Sequence, residues 1–541
     1  MTRSMMIAGC AVAALLPTGA LAQMMPGMKM DMPMPAKPKP KPKPKRAVPA
    51  PVHQHDASPV HTPAAAPATP PLPPSASPAK AGAQSRAAEN HAQHAPTTNS
   101  TPSPGPSPAK QAGDAATDPT SEAMPGMAMP PAAPVPTGQG GHTEHIENTD
   151  HDMAAMPGMT MGPPDGAYAE GSGTARNPGN DGAMRGSHFM AGDWMLMLHG
   201  YAWGVYTDQG GPRGENEAFV TSMAMLSAAR DYGGARLQLR SMMSLEPAMG
   251  AKGYPNLFAT GETADGRIQL TDRQHPHDLF MELSARLDVD AGPGSVFVYG
   301  GPVAEPAIGP SAFMHRTSAT YQPLSPITHH WFDSTHISYG VVTVGYAASR
   351  WQLEASAFRG REPDQFRWNI ERPSLDSWSV RATWTPSPAW AVQVSHGRLK
   401  SPEQLEPDRD EARTTASVQY AQHGVSALLA FSNKHLLPGR TLTAWLAEAN
   451  WDIDRHHTVF ARAENVANDE LFPDRTDPLH DRKFRVGKLE GGYAYRLPFV
   501  WPFDLALGGS VGVFAKPAAL DAAYGKMPVS VSLFAKVSLG G

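Results

Sequence analysis

Between about Trp194 and Leu539 the chain is written in segments of roughly ten residues whose side chains alternate apolar and polar, and the breaks between them alternate short and long. Period two puts successive side chains on opposite faces of a strand. Few folds sort their breaks by length as well, and an up-and-down barrel in a bilayer is one that does, with tight turns at one end and long loops at the other. The expected fold class is therefore all-β: a transmembrane up-and-down antiparallel β-barrel of about sixteen strands, preceded by a disordered tail.

Sixteen segments carry the pattern: Trp194–Tyr206, Glu217–Arg230, Ala235–Glu246, Asp278–Val289, Ser295–Gly301, His336–Ala347, Arg350–Arg359, Asp376–Thr385, Trp390–Leu399, Arg413–Gln422, Val425–Ser432, Thr441–Ile453, His457–Asn465, Lys483–Leu497, Phe503–Ala515 and Pro528–Leu539. In the fourth, Leu279, Met281, Leu283, Ala285, Leu287 and Val289 fall on one face, and Phe280, Glu282, Ser284, Arg286 and Asp288 on the other. Lipid takes the first set and the lumen the second. Trp194, Trp351, Trp384, Trp390, Trp451 and Trp501 all fall near the short-turn ends, where an interfacial aromatic girdle belongs.

The start of the chain fixes a compartment. Arg3, the apolar run Ile7–Leu16 and the small residues Ala20-Leu21-Ala22 read as a secretory signal over residues 1–22. Cys10 is the single cysteine, so removal of that segment leaves no thiol for a disulfide or a thiolate metal site. A net charge of −5 argues against a nucleic-acid partner. The expected setting is the bacterial outer membrane, with lipid around the barrel and the tail in the periplasm.

Residues 23–186 are dominated by Pro, Ala, Met, His, Ser and Gly, with few aromatics and no periodicity, a composition that cannot bury enough apolar surface to fold. Lys37 to Lys45 alternates Lys and Pro, a charged polyproline rod. Methionines cluster three times: Met24, Met25, Met28, Met30, Met32 and Met34; then Met124, Met127 and Met129; then Met153, Met156, Met159 and Met161. Thioethers are soft neutral ligands suited to Cu(I) or Ag(I), and His142, His145 and His151 add imidazoles that suit Cu(II). This Met/His-rich segment ahead of a barrel resembles the copper-resistance protein B family. The resemblance lies in the tail and the architecture, with no motif shared in the barrel. It implies copper ions as the bound species, not needed for folding, and periplasmic copper or a periplasmic copper protein as a partner.

Two sets of barrel residues invite chemistry. On the inward phase lie Arg236, Arg240, Glu282, Arg286, Asp288, Glu354, Arg381, Arg462 and Glu464, either paired across strands or forming a transverse field that selects ions. In the long loops, Asp272, His275, His277 and Asp278 stand before the fourth strand, and His315, His329, His330, Asp333 and His336 belong to the loop Pro302 to Thr335 and its exit. Imidazole and carboxylate together suit Cu(II), Zn(II) or Ni(II), and this set is expected at the long-loop rim. The loop Pro302 to Thr335 is long enough to fold inward and narrow a pore. Gly360-Arg361-Glu362-Pro363-Asp364 reads as an external turn with local ion pairs. No phosphate loop is present and no Ser/His or Asp/His partner set is identified, so no catalytic activity is expected. The sequence thus favours a copper-handling outer-membrane barrel, leaving open a general or selective porin with the tail as spacer, and a plugged structural barrel.

Overall fold

A computed structural model describes residues 166–498 and 502–539. The signal segment, the Lys-Pro run, all thirteen tail methionines named above, His142, His145, His151 and Trp501 lie outside the described residues.

The rhythm folds as written. Sixteen antiparallel strands form one closed barrel. They are β1 (Trp194–Gln209), β2 (Asn216–Asp231), β3 (Ala235–Met243), β4 (Phe280–Ala291), β5 (Gly294–Ala304), β6 (Ser338–Ala348), β7 (Trp351–Phe358) and β8 (Ser377–Ser387). The remainder are β9 (Trp390–Leu399), β10 (Asp410–Gln422), β11 (Val425–Leu437), β12 (Thr441–Asp452), β13 (His457–Asn468), β14 (Phe484–Pro498), β15 (Phe503–Ala515) and β16 (Val529–Leu539). Each strand pairs with its sequence neighbour, and β16 closes on β1 from Ser530↔Gln209 to Leu539↔Gly200. The short strand Ser187–Ala191 covers the part of the β1 edge that β16 does not reach. Closure matters because an open edge would leave backbone N–H and C=O groups unpaired in hydrocarbon.

The faces alternate as the pattern requires. Leu287, Val289, Val298, Val344, Leu353, Val380, Leu429 and Leu533 are exposed on the outside. An apolar surface of this extent around the barrel calls for hydrocarbon against it. Trp351, Trp384, Trp390 and Trp451 are also exposed, and Trp351 stands directly opposite Trp384 across β7 and β8. Met281 departs from the pattern. The β3–β4 register slips between Met242 and Met243, and this bulge buries Met281 instead of leaving it on the lipid face.

The interior is filled. The segment between β5 and β6 crosses it and hydrogen-bonds to the wall on nearly every side. Ala307 N–H donates to Ser356 of β7 at 2.8 Å, and Gly309 N–H to Ser395 of β9 at 2.9 Å. Ser432 of β11 donates to the Trp331 carbonyl at 2.8 Å, Arg462 of β13 to the Leu324 carbonyl at 2.8 Å, and Lys536 of β16 to the Thr320 carbonyl at 2.8 Å. Leu324, Ile327, Trp331 and Phe332 are buried among side chains of the wall. The loop expected to narrow a pore spans the lumen instead, because its apolar residues find a dry core there.

A hairpin in the β3–β4 connection, Tyr254–Thr263 with Gln269–Gln274, is also drawn in, and its first strand is buried throughout. A third piece comes from residues 166–186, which composition placed in the tail. They fold: Tyr168–Glu170 pairs with Arg176–Pro178, and the wall holds them. Gln352 Nε2 donates to the Thr174 carbonyl at 2.8 Å, Arg381 to Thr174 Oγ1 at 2.9 Å, and Arg240 to the Gly173 carbonyl at 3.2 Å. A Pro/Gly-rich stretch orders here because lumen side chains supply the partners its own sequence lacks.

Candidate metal centre

Five loop histidines meet inside the barrel. Pro276 holds His275-Pro276-His277 extended, and both flanking imidazoles are buried. A single helical turn, His329–Phe332, presents two more, and His336 follows it. Ring centroids run His277–His336 at 5.2 Å, His336–His329 at 5.4 Å, His329–His275 at 5.4 Å, and His275–His330 at 5.4 Å. The rings are buried and lie against long-loop residues, Glu262, Glu362 and Glu403, and the β5–β6 segment supplies three of the five.

Two donor groups emerge. Ligand atoms of His275, His329 and His330 lie within 4.8 Å of one another, and so do those of His330, Glu362 and Glu403. His330 belongs to both. Tetrahedral Zn–N bonds of about 2.0–2.1 Å need donors roughly 3.3 Å apart, so a bound ion would require these side chains to draw closer together. Around them, Glu246 accepts from the His277 backbone N–H and stands 2.9 Å from its Nδ1. Glu262 Oε1 lies 3.3 Å from His275 Nε2, while its other oxygen takes Arg367. His336 Nδ1 is hydrogen-bonded to the Asp333 carbonyl. Backbone and carboxylate partners of this kind orient metal-ligating imidazoles.

The nitrogens that remain are the informative ones. Nε2 of His275, His277, His330 and His336, and both ring nitrogens of His329, are buried without a hydrogen-bond partner among the described residues. A buried unsatisfied polar atom costs about 1–3 kcal/mol, so a concentration of them calls for a partner such as water or an ion. Burial, then the Arg367 cation, holds His275 well below the usual imidazole range. Burial and then its histidine neighbours do the same for His329, and burial takes His336 down to about 3. These rings are neutral, which is the ligating form. His330 differs: burial opposes its charge, but Glu362 at 3.2 Å outweighs this and raises it.

Gly261 shows how tightly His330 is held. A Cβ there would stand 2.3 Å from the imidazole, and the backbone φ of +114° is one that side chains rarely adopt. Glycine lets the chain lie against the ring face.

The other sequence candidates are dispersed. Asp272 accepts from Phe258 N–H and pairs with Arg213 at 2.7 Å, away from the imidazoles. Asp278 pairs with Arg367 at 3.4 Å and accepts from Tyr339. Asp333 pairs with Arg316 at 3.0 Å. His315 lies 6.4 Å from His199, ring to ring. Glu362, read as part of a local surface pair, is buried against His330. Glu246, Glu262, Glu403 and Arg367 carried no sequence signal, since they are spread over three loops far apart in the chain.

Most of the inward charges face an opposite charge. Glu354 and Arg381 stand directly across from each other in the ladder and bond at 2.9 Å, and so do Glu448 and Arg462 at 3.2 Å. Arg286 bonds Asp288 at 2.8 Å, and Arg240 lies 3.6 Å from Glu282 and 3.3 Å from Glu170. Glu464 accepts from Thr328 N–H at 3.0 Å, and Arg236 lies 3.5 Å from Asp231. No separated rows of opposite charge face each other among these residues, so they wire the fill to the wall.

Two clefts approach the histidines. One, of about 430 Å³, is lined by residues of the long loops and includes Glu403, Lys434 and Glu470. The other, of about 160 Å³, runs between residues 169–185, β1 and β16, and reaches Phe313 and His315. Phe313 packs against His277 and His329 at 6.2 and 5.8 Å.

No family model and no curated protein matches this chain. Among solved structures it is similar to OmpF of Salmonella typhi in complex with daunomycin, at 9% identity and a TM-score of 0.43, over 65% of this chain and 100% of that one. It is also similar to an anion-selective porin from Comamonas acidovorans, at 11% identity and 0.41 over 64% and 100%. Pseudomonas putida OprB matches at 11% identity and 0.41 over 64% and 94%.

Proposed function

We propose that this chain is a bacterial outer-membrane barrel of porin-like architecture that binds a divalent transition-metal cation inside its filled lumen, with copper as the cargo in metal homeostasis or resistance. The observation that carries the reading is the convergence of His275, His329 and His330, with Glu362 and Glu403, in a buried site where Nε2 of each imidazole and Nδ1 of His329 have no hydrogen-bond partner among the described residues. Neutral imidazoles with carboxylates suit Cu(II) or Zn(II), and the Irving–Williams order favours Cu(II). The Met/His-rich tail would concentrate the same metal beside the barrel. Open diffusion of larger solutes is disfavoured by the β5–β6 segment bonded across the lumen.

The test is calorimetric titration of the purified full chain with Cu(II) and Zn(II), beside a His275→Ala/His329→Ala variant. Both carry the tail histidines, so the expected result is loss of one tight binding event. Equal binding by the two proteins would sink the reading. The two clefts favour a second version in which the ion passes through the barrel instead of residing there. Metal-dependent current across a planar bilayer separates passage from storage.

A further inference from the structure

Next to the histidine centre lies a group that the divalent-metal reading leaves unused. Among the described residues five methionines are buried, Met197, Met223, Met225, Met242 and Met281, and all five pack in one cluster. Met184 and Met314 pack against it. The larger apolar cluster of the interior, built on Leu257, Phe258, Trp331 and Phe332, contains no methionine. Dry packing alone does not select thioethers, since Leu and Ile fill space with less side-chain entropy to lose.

Position strengthens the point. Met197, Met223, Met225 and Met242 occupy lumen-facing places of β1, β2 and β3, where a barrel of this kind ordinarily carries polar residues. The fifth arrives through the bulge that turns Met281 away from lipid. The cluster joins two places already described. Ile337 follows His336, and Tyr339 bonds Asp278 beside His277. At its other side Met184 and Met314 line the smaller cleft. His277, His315 and His336 each have a buried Nε2 without a hydrogen-bond partner among the described residues.

We propose that these methionines form a separate ligand set for a soft monovalent d10 cation, Cu(I) or Ag(I), lying between the histidine centre and the smaller cleft. Soft thioethers suit such ions and disfavour hard cations such as Ca(II). The inference rests on the thioethers and stands whether or not the histidines bind a divalent ion.

Silver(I), which is redox-inert, is the probe. The full chain is prepared with its tail methionines changed to leucine, so that barrel sulfurs are read alone. Gel-filtered protein is assayed for bound silver and for sulfur neighbours by X-ray absorption. The expected result is a sulfur-ligated Ag(I) that is lost in Met223→Leu/Met225→Leu/Met242→Leu, while Cu(II) binding is unchanged. Leucine is close in volume to methionine, so the wall should tolerate it. If that variant does not fold, the sulfur count of the parent decides. Silver held only through nitrogen or oxygen, or silver retained by the folded variant, overturns the proposal. Loss of Cu(II) binding alone, with sulfur-bound silver retained by the parent, removes the histidine reading and leaves this one.

Discussion

The β5–β6 segment carries two buried polar clusters, and they are built on opposite rules. In the first, Arg316 bonds Asp333 at 3.0 Å and Glu448 at 2.6 Å, and Arg462 bonds Glu448 at 3.2 Å, with all four side chains fully enclosed. Every charge there faces an opposite charge, so the cluster is a staple between the fill and β12 and β13. In the second, a few residues along, His329, His330 and His336 bring ring nitrogens that nothing beside them satisfies. Equal burial does not mean equal purpose. Paired charges hold a chain in place, whereas unpartnered ring nitrogens are what the proposed metal would meet.

The comparison can be broken experimentally. Arg316→Met strands the buried Asp333 and leaves Glu448 with Arg462 alone, and should cost about 3–5 kcal/mol, read as a lowered denaturation midpoint together with a rise in bilayer conductance as the fill loosens. An unchanged midpoint would mean the staple is decorative. His329→Ala should do the reverse: little change in stability, since both its orphan nitrogens leave with the ring, but a fall in Cu(II) affinity of about 100-fold or more. If its stability falls as far as that of Arg316→Met, the two clusters are alike after all.

Smaller changes sharpen the contrast. Gly261→Ala pushes a methyl group into the His330 ring and should cost about 1–2 kcal/mol while weakening Cu(II) binding, measured by melting and titration. A wild-type affinity in that variant would remove His330 from the ligand set. Glu362→Gln keeps the shape and removes the charge that holds His330, and about a tenfold weaker Cu(II) affinity is expected from the same titration. No change there would assign Glu362 to structure alone.

Much of the wall was legible. Strand faces read from Leu287, Val289, Arg286 and Asp288 agree with the structure because period two is a local property, set by backbone geometry before any tertiary contact forms. Met281 escaped, since a bulge depends on how two strands register and leaves no mark in one of them. The histidines could be named but not placed. His275 and His330 are 55 positions apart, and only the inward passage of the β5–β6 segment joins them. Residues 166–186 were misassigned for a related reason: their composition describes what they can do alone, and their order comes from Gln352, Arg381 and Arg240 on the wall.

By itself, then, the sequence determined the barrel, its strand count and which face meets lipid, because alternation and break length are written residue by residue. Whether the lumen is open, what fills it and which side chains meet there were decided only by the tertiary structure. Those depend on contacts between distant segments, where burial and pairing select partners that no local pattern names.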